Sequence, residues 1–439
     1  MTIFAPATAP GRAGIAVIRI SGPRASAALE ALSGVPPPAR RAVRRRLQTP
    51  GGTPLDDALV LWFPAPASFT GEDVAELHLH GGPAVVAATL EALAALPGLR
   101  PAEPGAFTRR AFDNGKLDLT AVEGLADLVA AETEAQRCQA LRQLDGALAR
   151  LYDHWREKLL KSLACMEAAI DFPEDDLPSN IVNGVNHNIG GIQAEIIQHL
   201  DDNRRGERLR EGATVTILGA PNVGKSSLLN RLARRDAAIV SHHAGTTRDV
   251  IEVRMDLGGY PTLLADTAGL RESADDIEEE GMRRALARAA DADLRIAMFD
   301  ATVWPATDEK TRALIDDDAL VVVNKTDLAP LGGDATLSGR RVWPLSCRTG
   351  EGVDAFVDAL EAAVATRLDV GVAPALTRAR HRAALEDCAA ALERARTVSA
   401  IELGAADLRL AVRALGRITG RVDVEDLLDV IFAEFCIGK

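Results

Sequence analysis

The sequence predicts a multi-domain protein of the α/β and α class. An N-terminal α+β domain is followed by a helical domain that is split by an inserted α/β domain. The chain has 439 residues, which at roughly 150 residues per domain suggests about three domains. Short apolar runs alternate with helical patterns between residues 213 and 370, as in a parallel α/β sheet. Long helical stretches lie on both sides of that zone, which indicates an insertion.

The N-terminal domain is predicted to span residues 1–117. Its apolar runs at 15–20 and 59–63 predict strands, and residues 83–96 predict a helix. Glycine and proline separate these segments. The mixture predicts an α+β arrangement.

The helical domain is predicted in two parts, residues 118–212 and 371–439. In the first part, Leu141, Leu144, Leu148 and Leu151 have helical spacing. The second part ends in a helix with one apolar stripe, which consists of Val424, Leu427, Leu428, Ile431, Phe432 and Phe435.

The α/β domain is predicted to span residues 213–370. Its strand candidates are the apolar runs at 214–218, 262–265, 294–299, 320–323 and 342–345. Each is followed by turn residues and then by a helical pattern, which predicts a parallel sheet.

Composition narrows the class of protein. The formal net charge is −13, so the surface as a whole is not suited to binding nucleic acid, although a local basic patch remains possible. A cluster of arginines at positions 40–46 is interpreted as a solvated surface element. The five cysteines are scattered, which argues against a disulfide framework or a zinc site. Without a secretory signal or an apolar run of about 18 residues, we expect a soluble cytoplasmic protein that makes no membrane contact.

Residues 219–226, GAPNVGKS, match the pattern GxxxxGK[ST] between a predicted strand and a predicted helix. Such a loop cradles phosphates with its backbone N–H groups, and the helix N-terminus favours their charge. Lys225 is expected to reach the β- and γ-phosphates, and Ser226 to ligate Mg²⁺. The predicted nucleotide contacts in this loop are Asn222, Val223, Gly224, Lys225, Ser226 and Ser227.

Three further elements follow in the order that a GTPase requires. The DxxG element consists of Asp266, Thr267, Ala268 and Gly269. The NKxD element supplies Asn324, Lys325 and Asp327. The carboxylate of Asp327 can accept two N–H bonds from guanine, and adenine lacks both donors. Ser346, Cys347 and Arg348 are expected to line the base.

The segment between the P-loop and DxxG carries the remaining catalytic candidates. Thr247, in GTTRD, is predicted to ligate Mg²⁺ as a switch I threonine. Leu270 follows DxxG where Ras-like enzymes have a glutamine that orients water. Leucine cannot form that hydrogen bond, so another group is needed. Glu278 lies in an acidic stretch just downstream, although its position alone favours a solvated helix start.

Several segments together resemble the MnmE (TrmE) family of tRNA-modifying GTPases. They are Asn222, GTTRD and the blocks at 10–19, 69–78, 107–112, 115–119 and 435–439, the last of which reads FCIGK. The resemblance implies an N-terminal domain that binds a tetrahydrofolate derivative (5-formyl- or 5,10-methylene-) and forms a homodimer. It also implies a split helical domain and an inserted Ras-like P-loop domain.

The family resemblance implies a K⁺-activated GTPase that acts with the flavoprotein MnmG (GidA) in a heterotetramer-type complex. The substrate is the wobble uridine, U34, of certain tRNAs. Its C5 atom acquires a carboxymethylaminomethyl or aminomethyl group with a one-carbon unit from folate.

Site residues follow from the same resemblance. Arg19, Glu76, Lys116 and Lys439 match folate-contacting positions. K⁺ is implied to bind Asn222, Ser241, His243 and Thr246, and Ser241 and Thr246 also count as nucleotide contacts. Glu278 matches the family's water-orienting glutamate. Cys436 is given no catalytic role.

Two alternatives remain open from the sequence. The first is a ribosome-assembly GTPase switch of the Era or Der type, which shares the nucleotide motifs. The second is a stand-alone folate-dependent transferase in which GTP is only regulatory.

Overall fold

The computed structural model describes residues 1–171, 181–234, 252–266, 292–332, 335–371, 373–422, 425–433, 435 and 437–439. The chain forms two compact units. The first consists of Met1–Ala126, Gln143–Glu174 and Ile401–Lys439, and the second of Asp127–Arg142 and Asp175–Ala400.

The first unit contains a six-stranded sheet in the order β3-β4-β5-β2-β1-β6. Its strands are β1 (Thr2–Pro6), β2 (Ala13–Ser21), β3 (Val43–Gln48), β4 (Pro54–Phe63), β5 (Val74–Gly81) and β6 (Leu99–Pro101). Only the β1–β6 pair is parallel. Three helices follow strands of this region, α1 (Ala25–Ser33), α2 (Pro83–Ala94) and α3 (Ala106–Asp113). The predicted α+β mixture, with strands at 15–20 and 59–63 and a helix at 83–96, is confirmed.

Alternation along β2 separates the core from the site. Ile18 and Ile20 are fully buried in the apolar core of this sheet, together with Leu77 of β5. Arg19 lies between the two isoleucines and therefore points to the opposite face of the sheet.

Helices from distant parts of the sequence pair within this unit. Helix α6 (Ala147–Asp171) packs against α13 (Ile401–Thr419). Tyr152 and Trp155 of α6 are buried. The last helix, α14 (Glu425–Ala433), contributes Leu428, Ile431 and Phe432 to a cluster completed by Phe435 and the residues of α4 (Leu119–Ala130). The predicted stripe is confirmed for these residues, whereas Val424 and the side chain of Leu427 lie outside the described part of the chain.

The leucines between residues 141 and 151, which have helical spacing in the sequence, belong to two helices. Helix α5 (Glu134–Leu144) ends before α6 begins at Ala147. Gly146 has a positive φ of 80°, a conformation that glycine adopts without a Cβ clash. The helical spacing continues by coincidence across this break.

The second unit contains a seven-stranded sheet in the order β12-β13-β11-β10-β7-β9-β8. Its strands are β7 (Ala213–Leu218), β8 (Glu252–Leu257), β9 (Tyr260–Asp266), β10 (Leu294–Asp300), β11 (Ala319–Asn324), β12 (Thr336–Leu337) and β13 (Arg340–Pro344). The five central strands are parallel and the two edge strands are antiparallel. The parallel sheet is confirmed, and all five predicted strands are present, although the fifth ends at Pro344.

Helices in this unit cover the sheet or pair with each other. Those of the α/β region are α9 (Lys225–Ala233), α10 (Glu309–Arg312) and α11 (Val353–Leu368). Helix α7 (Ile181–Leu200) packs against α12 (Ala379–Thr397), and α8 (Arg205–Glu211) leads into β7. Helices that precede and follow the α/β sheet in sequence therefore pair, as a split helical architecture requires. Within the described part of the chain, no helix is both long and apolar enough to cross a membrane.

Candidate functional site

The loop between β7 and α9 is shaped by two glycines. A Cβ on Gly219 would lie 2.5 Å from the carbonyl oxygen of Met298, and a Cβ on Gly224 would lie 2.2 Å from Nδ2 of Asn324. Both distances are prohibitive. Gly224 has a φ of 108° and precedes the first turn of α9. Only glycine therefore permits this close approach of the loop to β10 and β11.

Lys225 stabilises the loop from inside. Its side chain is buried, and Nζ donates to the carbonyl oxygens of Gly219 at 2.8 Å and Ala220 at 3.0 Å. Asn222 has a positive φ of 60°, an uncommon conformation that asparagine tolerates better than most residues. The loop thus curls around the lysine ammonium, next to the N-terminus of α9, where an anion is favoured.

Asn324 links the phosphate loop to the base loop. At the carboxyl end of β11, its Nδ2 donates to the carbonyl oxygen of Val223 at 2.8 Å. Its Oδ1 accepts from the backbone N–H of Cys347 at 2.9 Å. Asn324 is 3% exposed, so both bonds are shielded from water.

Asp327 is the predicted guanine acceptor. Its Oδ1 accepts from the hydroxyl of Ser346 at 2.6 Å, and its Oδ2 lies 2.9 Å from Nη2 of Arg348. The Ser346 bond, with a smaller contribution from the charge of Arg348, holds the pKa of Asp327 below its usual range. The carboxylate is therefore ionised at neutral pH, as acceptance of two guanine N–H bonds requires.

Cys347, which lies between Ser346 and Arg348 in the sequence, is half-buried. Burial raises the pKa of its thiol to about 11. It contributes its backbone to the loop, and its side chain stays neutral.

The predicted folate residues lie in the first unit. Arg19 on β2 and Glu76 on β5 are register partners. The Arg19 guanidinium donates through Nε to Oε1 of Glu76 at 3.1 Å, and Nη2 lies 3.0 Å from the same oxygen. The Cζ atom of Arg19 also lies 5.5 Å from the ring centre of Phe69 and 5.9 Å from that of Phe107. Arginine, carboxylate and aromatic faces meet here, and both charged side chains are about one-fifth exposed.

Lys116 and Lys439, the other two predicted folate residues, lie on segments that pack against other parts of the first unit. Lys116 Nζ donates to the carbonyl oxygen of Pro66 at 3.1 Å, in the loop that also carries Phe69. A Cβ on Gly438 would lie 1.9 Å from the carbonyl oxygen of Pro6. The C-terminal segment that carries Lys439 therefore packs against the end of β1, the strand next to β2.

This donor set fits a folate chemically. A carboxylate such as Glu76 can accept from the amide and amine edge of a pterin, and each of its oxygens has more than one lone pair. Lysine and arginine can pair with the carboxylates of a folate tail.

Two family models match the chain. "GTP-binding protein TrmE N-terminus" matches residues 2–116, and "MnmE helical domain" matches residues 119–436. The second match alone covers more than half of the chain. The chain belongs to the MnmE family of tRNA modification GTPases.

Individual MnmE relatives agree over the whole length. The tRNA modification GTPase MnmE of Rhodospirillum rubrum is 58% identical over 100% of this chain and 99% of its own length. That of Paramagnetospirillum magneticum is 60% identical, with the same two coverages. The mitochondrial 5-taurinomethyluridine-[tRNA] synthase subunit GTPB3 of Rattus norvegicus is 49% identical over 100% of this chain and 93% of its own length.

Several of the predicted site residues lie outside the part of the chain that the structure describes. These are Ser241, His243, Thr246, Thr247, Thr267, Ala268, Gly269, Leu270, Glu278 and Cys436. Asp266 is the last residue of β9 and is the register partner of Ile217, just before the phosphate loop. Ser226 lies in the first turn of α9. Among the described residues, no group of three or more His, Cys, Asp or Glu side chains could hold a metal ion.

The structure adds supporting residues to the MnmE nucleotide site that the sequence did not indicate. Arg231 of α9 donates to the carbonyl oxygens of Cys347 at 2.9 Å and Arg348 at 3.1 Å. Asp300 binds Lys325 Nζ at 2.6 Å. Burial alone would raise the pKa of Asp300, but the hydrogen bonds from Lys325 and Thr302 outweigh it and lower the pKa.

His78 is a further neighbour of the predicted folate residues. Its Nε2 lies 3.2 Å from Oε2 of Glu76. The alternation of β5 places residues 76 and 78 on one face, so the sequence carried a signal for this contact. For Asp300, the sequence signal for a place near the site was its position at the end of β10, the strand that pairs with β11.

Proposed function

We propose that this chain is a K⁺-activated GTPase that acts with a flavoprotein, MnmG (GidA), on tRNA. Its reaction modifies C5 of the wobble uridine, U34, to a carboxymethylaminomethyl or aminomethyl form with a one-carbon unit from a tetrahydrofolate. The observation that carries the proposal is the presence in one chain of two chemically distinct sites. One is the guanine-type acceptor Asp327 beside a phosphate loop, and the other is the Arg19–Glu76 cluster.

The described geometry supports GTP binding. The backbone of residues 219–226 and the N-terminus of α9 bind the phosphates, and Lys225 places its charge there. Asp327, oriented by Ser346, accepts from the guanine N1–H and 2-amino groups. Asn324 fixes the distance between the two halves of the site because it bonds to both loops.

Hydrolysis requires charge neutralisation and an oriented water. Mg²⁺ and K⁺ would supply positive charge against the phosphates as the β–γ bond breaks. Ser226 and Thr247 are the proposed Mg²⁺ ligands. For K⁺ they are Asn222, Ser241, His243 and Thr246. The proposed role of Glu278 is to orient water, since Leu270 cannot.

The N-terminal domain is proposed to hold the folate and to form a homodimer. Glu76 would accept from the pterin edge, and Arg19, Lys116 and Lys439 would neutralise the carboxylates of the tail. Phe69 and Phe107 offer apolar faces beside Arg19. The match of residues 2–116 to the TrmE N-terminus supports this assignment over an Era- or Der-type switch.

The deciding experiment is nucleoside analysis of bulk tRNA from a deletion strain. Loss of the C5-substituted wobble nucleoside, restored by the wild-type chain but not by Asp327→Asn, is expected. A normal wobble profile with disturbed ribosomal subunits would favour the ribosome-assembly switch. Turnover of folate and tRNA by the purified chain without a flavoprotein would favour the stand-alone transferase.

A further inference from the structure

A groove between two helices of the first unit is lined by arginines. It has a volume of about 330 Å³ and lies between α6, the middle of α13 and Val422 just beyond that helix. Three of its lining residues, Arg156, Arg409 and Arg413, are cationic. The others are apolar: Leu163, Val412 and Val422. Among the described residues that line it there is no carboxylate, although the chain as a whole is strongly acidic.

Arg156 has a hydrogen-bond donor that remains unused among the described residues. Its Nε is buried and makes no hydrogen bond. The residue that brings it close to α13 is Gly416, where a Cβ would lie 3.9 Å from this Nε and 2.7 Å from Val422 Cγ2. A buried donor without a partner is unfavourable. An acceptor oxygen in the groove would satisfy it.

The arginines continue along the helix as a stripe. Positions 409, 413 and 417 of α13 carry arginine at every fourth residue, and Arg421 follows just after the helix ends at Thr419. Residues four apart on a helix are on the same side and about 6 Å apart along its axis. A single phosphate ion would use one or two such side chains, whereas a polyanion can contact the series.

Two of these arginines, Arg409 and Arg421, pair with partly exposed carboxylates of α6. Arg409 pairs with Glu167 at 2.8 Å, and Arg421 pairs with Asp153 at 2.7 Å. The two arginine side chains are 56% and 53% exposed, respectively. Exposed ion pairs contribute little to stability, so a phosphate can replace these carboxylates at small cost.

From these observations we infer that the groove and its stripe bind the phosphodiester backbone of tRNA. The inference deepens the proposed function and rests on it, because that function supplies the RNA. The apolar lining residues suit the sugar edge, and the arginines supply donors for phosphate oxygens. Contacts of this kind position an RNA without reading its sequence.

The test is fluorescence anisotropy of the full chain with a fluorescein-labelled, unmodified tRNA transcript between 50 and 200 mM KCl. Arg409→Gln with Arg413→Gln should weaken binding about 10-fold at low salt. It should also reduce the slope of log K against log salt by about 1.4 to 1.8, because each of the two lost phosphate contacts removes roughly 0.7 to 0.9. The charge-conserving pair Arg409→Lys with Arg413→Lys should retain most of the affinity. Arg156→Gln should weaken binding about 3-fold or more.

The matched control is Arg44→Gln with Arg46→Gln, which removes the same charge from the exposed strand β3. Its binding should equal that of the wild type. Thermal unfolding of each variant checks that the fold is intact. An equal loss in the control, an unchanged salt slope in the groove variant or no binding by the wild type would overturn the inference. Competition by millimolar inorganic phosphate at constant ionic strength would instead identify a small-anion site and overturn it too.

These outcomes are separable from failure of the proposed function. If the deletion strain lacks the wobble nucleoside but the groove variant binds the transcript normally, only the groove assignment is wrong. If the wobble profile is normal, the function itself is wrong, whatever the binding data show.

Discussion

The Ser346 hydroxyl donates a 2.6 Å hydrogen bond to Oδ1 of Asp327, although the two residues are 19 positions apart in sequence. Ser346 is fully buried, and its Oγ also accepts from the backbone N–H of Thr349 at 3.1 Å. The hydroxyl is thereby fixed in direction. The carboxylate of Asp327 is consequently held in one orientation, with its pKa lowered, before any base arrives.

Asp327→Asn should lower GTP affinity by roughly two orders of magnitude, because a charge-assisted bidentate contact is worth about 3 kcal/mol. Xanthine nucleotide should bind the variant better than the wild type does, since its C2 carbonyl can accept from the new amide. Titration calorimetry with both nucleotides measures this. Asp358→Asn, on the exposed face of α11, removes the same charge and should bind GTP normally. Normal GTP binding by Asp327→Asn would mean that the base lies elsewhere.

Ser346→Ala should weaken GTP binding about 10-fold without changing the preference for guanine. The variant keeps the carboxylate but loses the bond that orients it, worth roughly 1 to 1.5 kcal/mol. The pKa of Asp327 should rise toward its ordinary value because its largest lowering contribution is removed. The pH below which GTP affinity declines should therefore move upward. If the GTP affinity of the wild type and that of the variant begin to decline at the same pH, this account is contradicted.

Hydrolysis should be at least 10-fold faster in KCl than in NaCl at matched ionic strength. An arginine finger is typically worth 10³ or more in rate, and K⁺ is proposed to replace that charge. Asn222→Ala should abolish the difference between the salts while retaining most GTP binding. Asn230→Ala, on the exposed side of α9, is the control. Equal steady-state rates of the wild type in both salts would remove K⁺ from the mechanism.

A reduced folate should bind saturably to the full chain, and Arg19→Ala or Lys116→Ala should weaken it about 10-fold. Each substitution deletes one cationic hydrogen-bond donor, worth roughly 1.5 kcal/mol or more. Calorimetry with 5-formyltetrahydrofolate measures the change. Arg100→Ala, at an exposed position of β6, should leave the affinity unchanged. The absence of binding heat at millimolar folate would separate this domain from one-carbon chemistry.

His199, near the end of α7, should make the protein less stable in acid. Burial lowers its pKa to about 4, against an ordinary value of 6.5, and nearby Asp202 only partly offsets this. Between these two values the unfolded chain binds more protons, so the free energy of unfolding falls as pH falls. The loss should reach about 3 kcal/mol at pH 4.

His199→Leu removes this titration, so its unfolding midpoint should decline less than that of the wild type between pH 7 and pH 4.5. Thermal unfolding at several pH values is the measurement. His154→Leu, at an exposed position of α6, serves as the control and should follow the wild type. Parallel curves for His199→Leu and the wild type would disprove the role of this histidine.

The parts of the fold that the sequence predicted are those determined by local signals. Continuous apolar runs identified the five parallel strands, because both faces of such strands are buried. The phosphate loop was recognisable because its chemistry needs glycine at positions such as Gly224 and lysine next to it. The break at Gly146 was missed because helical spacing happened to continue through it, and one glycine is a weak signal.

The supporting residues of the site depended on contacts that no local pattern encodes. Arg231 reaches the base loop across 116 residues of sequence. Asn324 was predicted from its motif, but its bond to Val223 spans 101 residues and follows only from the strand order. Local sequence specifies which groups are available, whereas tertiary packing decides which of them meet.

Arg382 donates to the carbonyl oxygen of Leu200 at 2.8 Å and to Asp202 at 2.6 Å. Leu200 is the last residue of α7, and Arg382 lies in the first turns of α12. The chain therefore leaves one helix for the α/β sheet and returns to the other helix at nearly the same point. The two ends of the inserted segment therefore lie close together. A linker of a few residues could bridge that gap, so the nucleotide module could be exchanged for another without separating the helices that carry it.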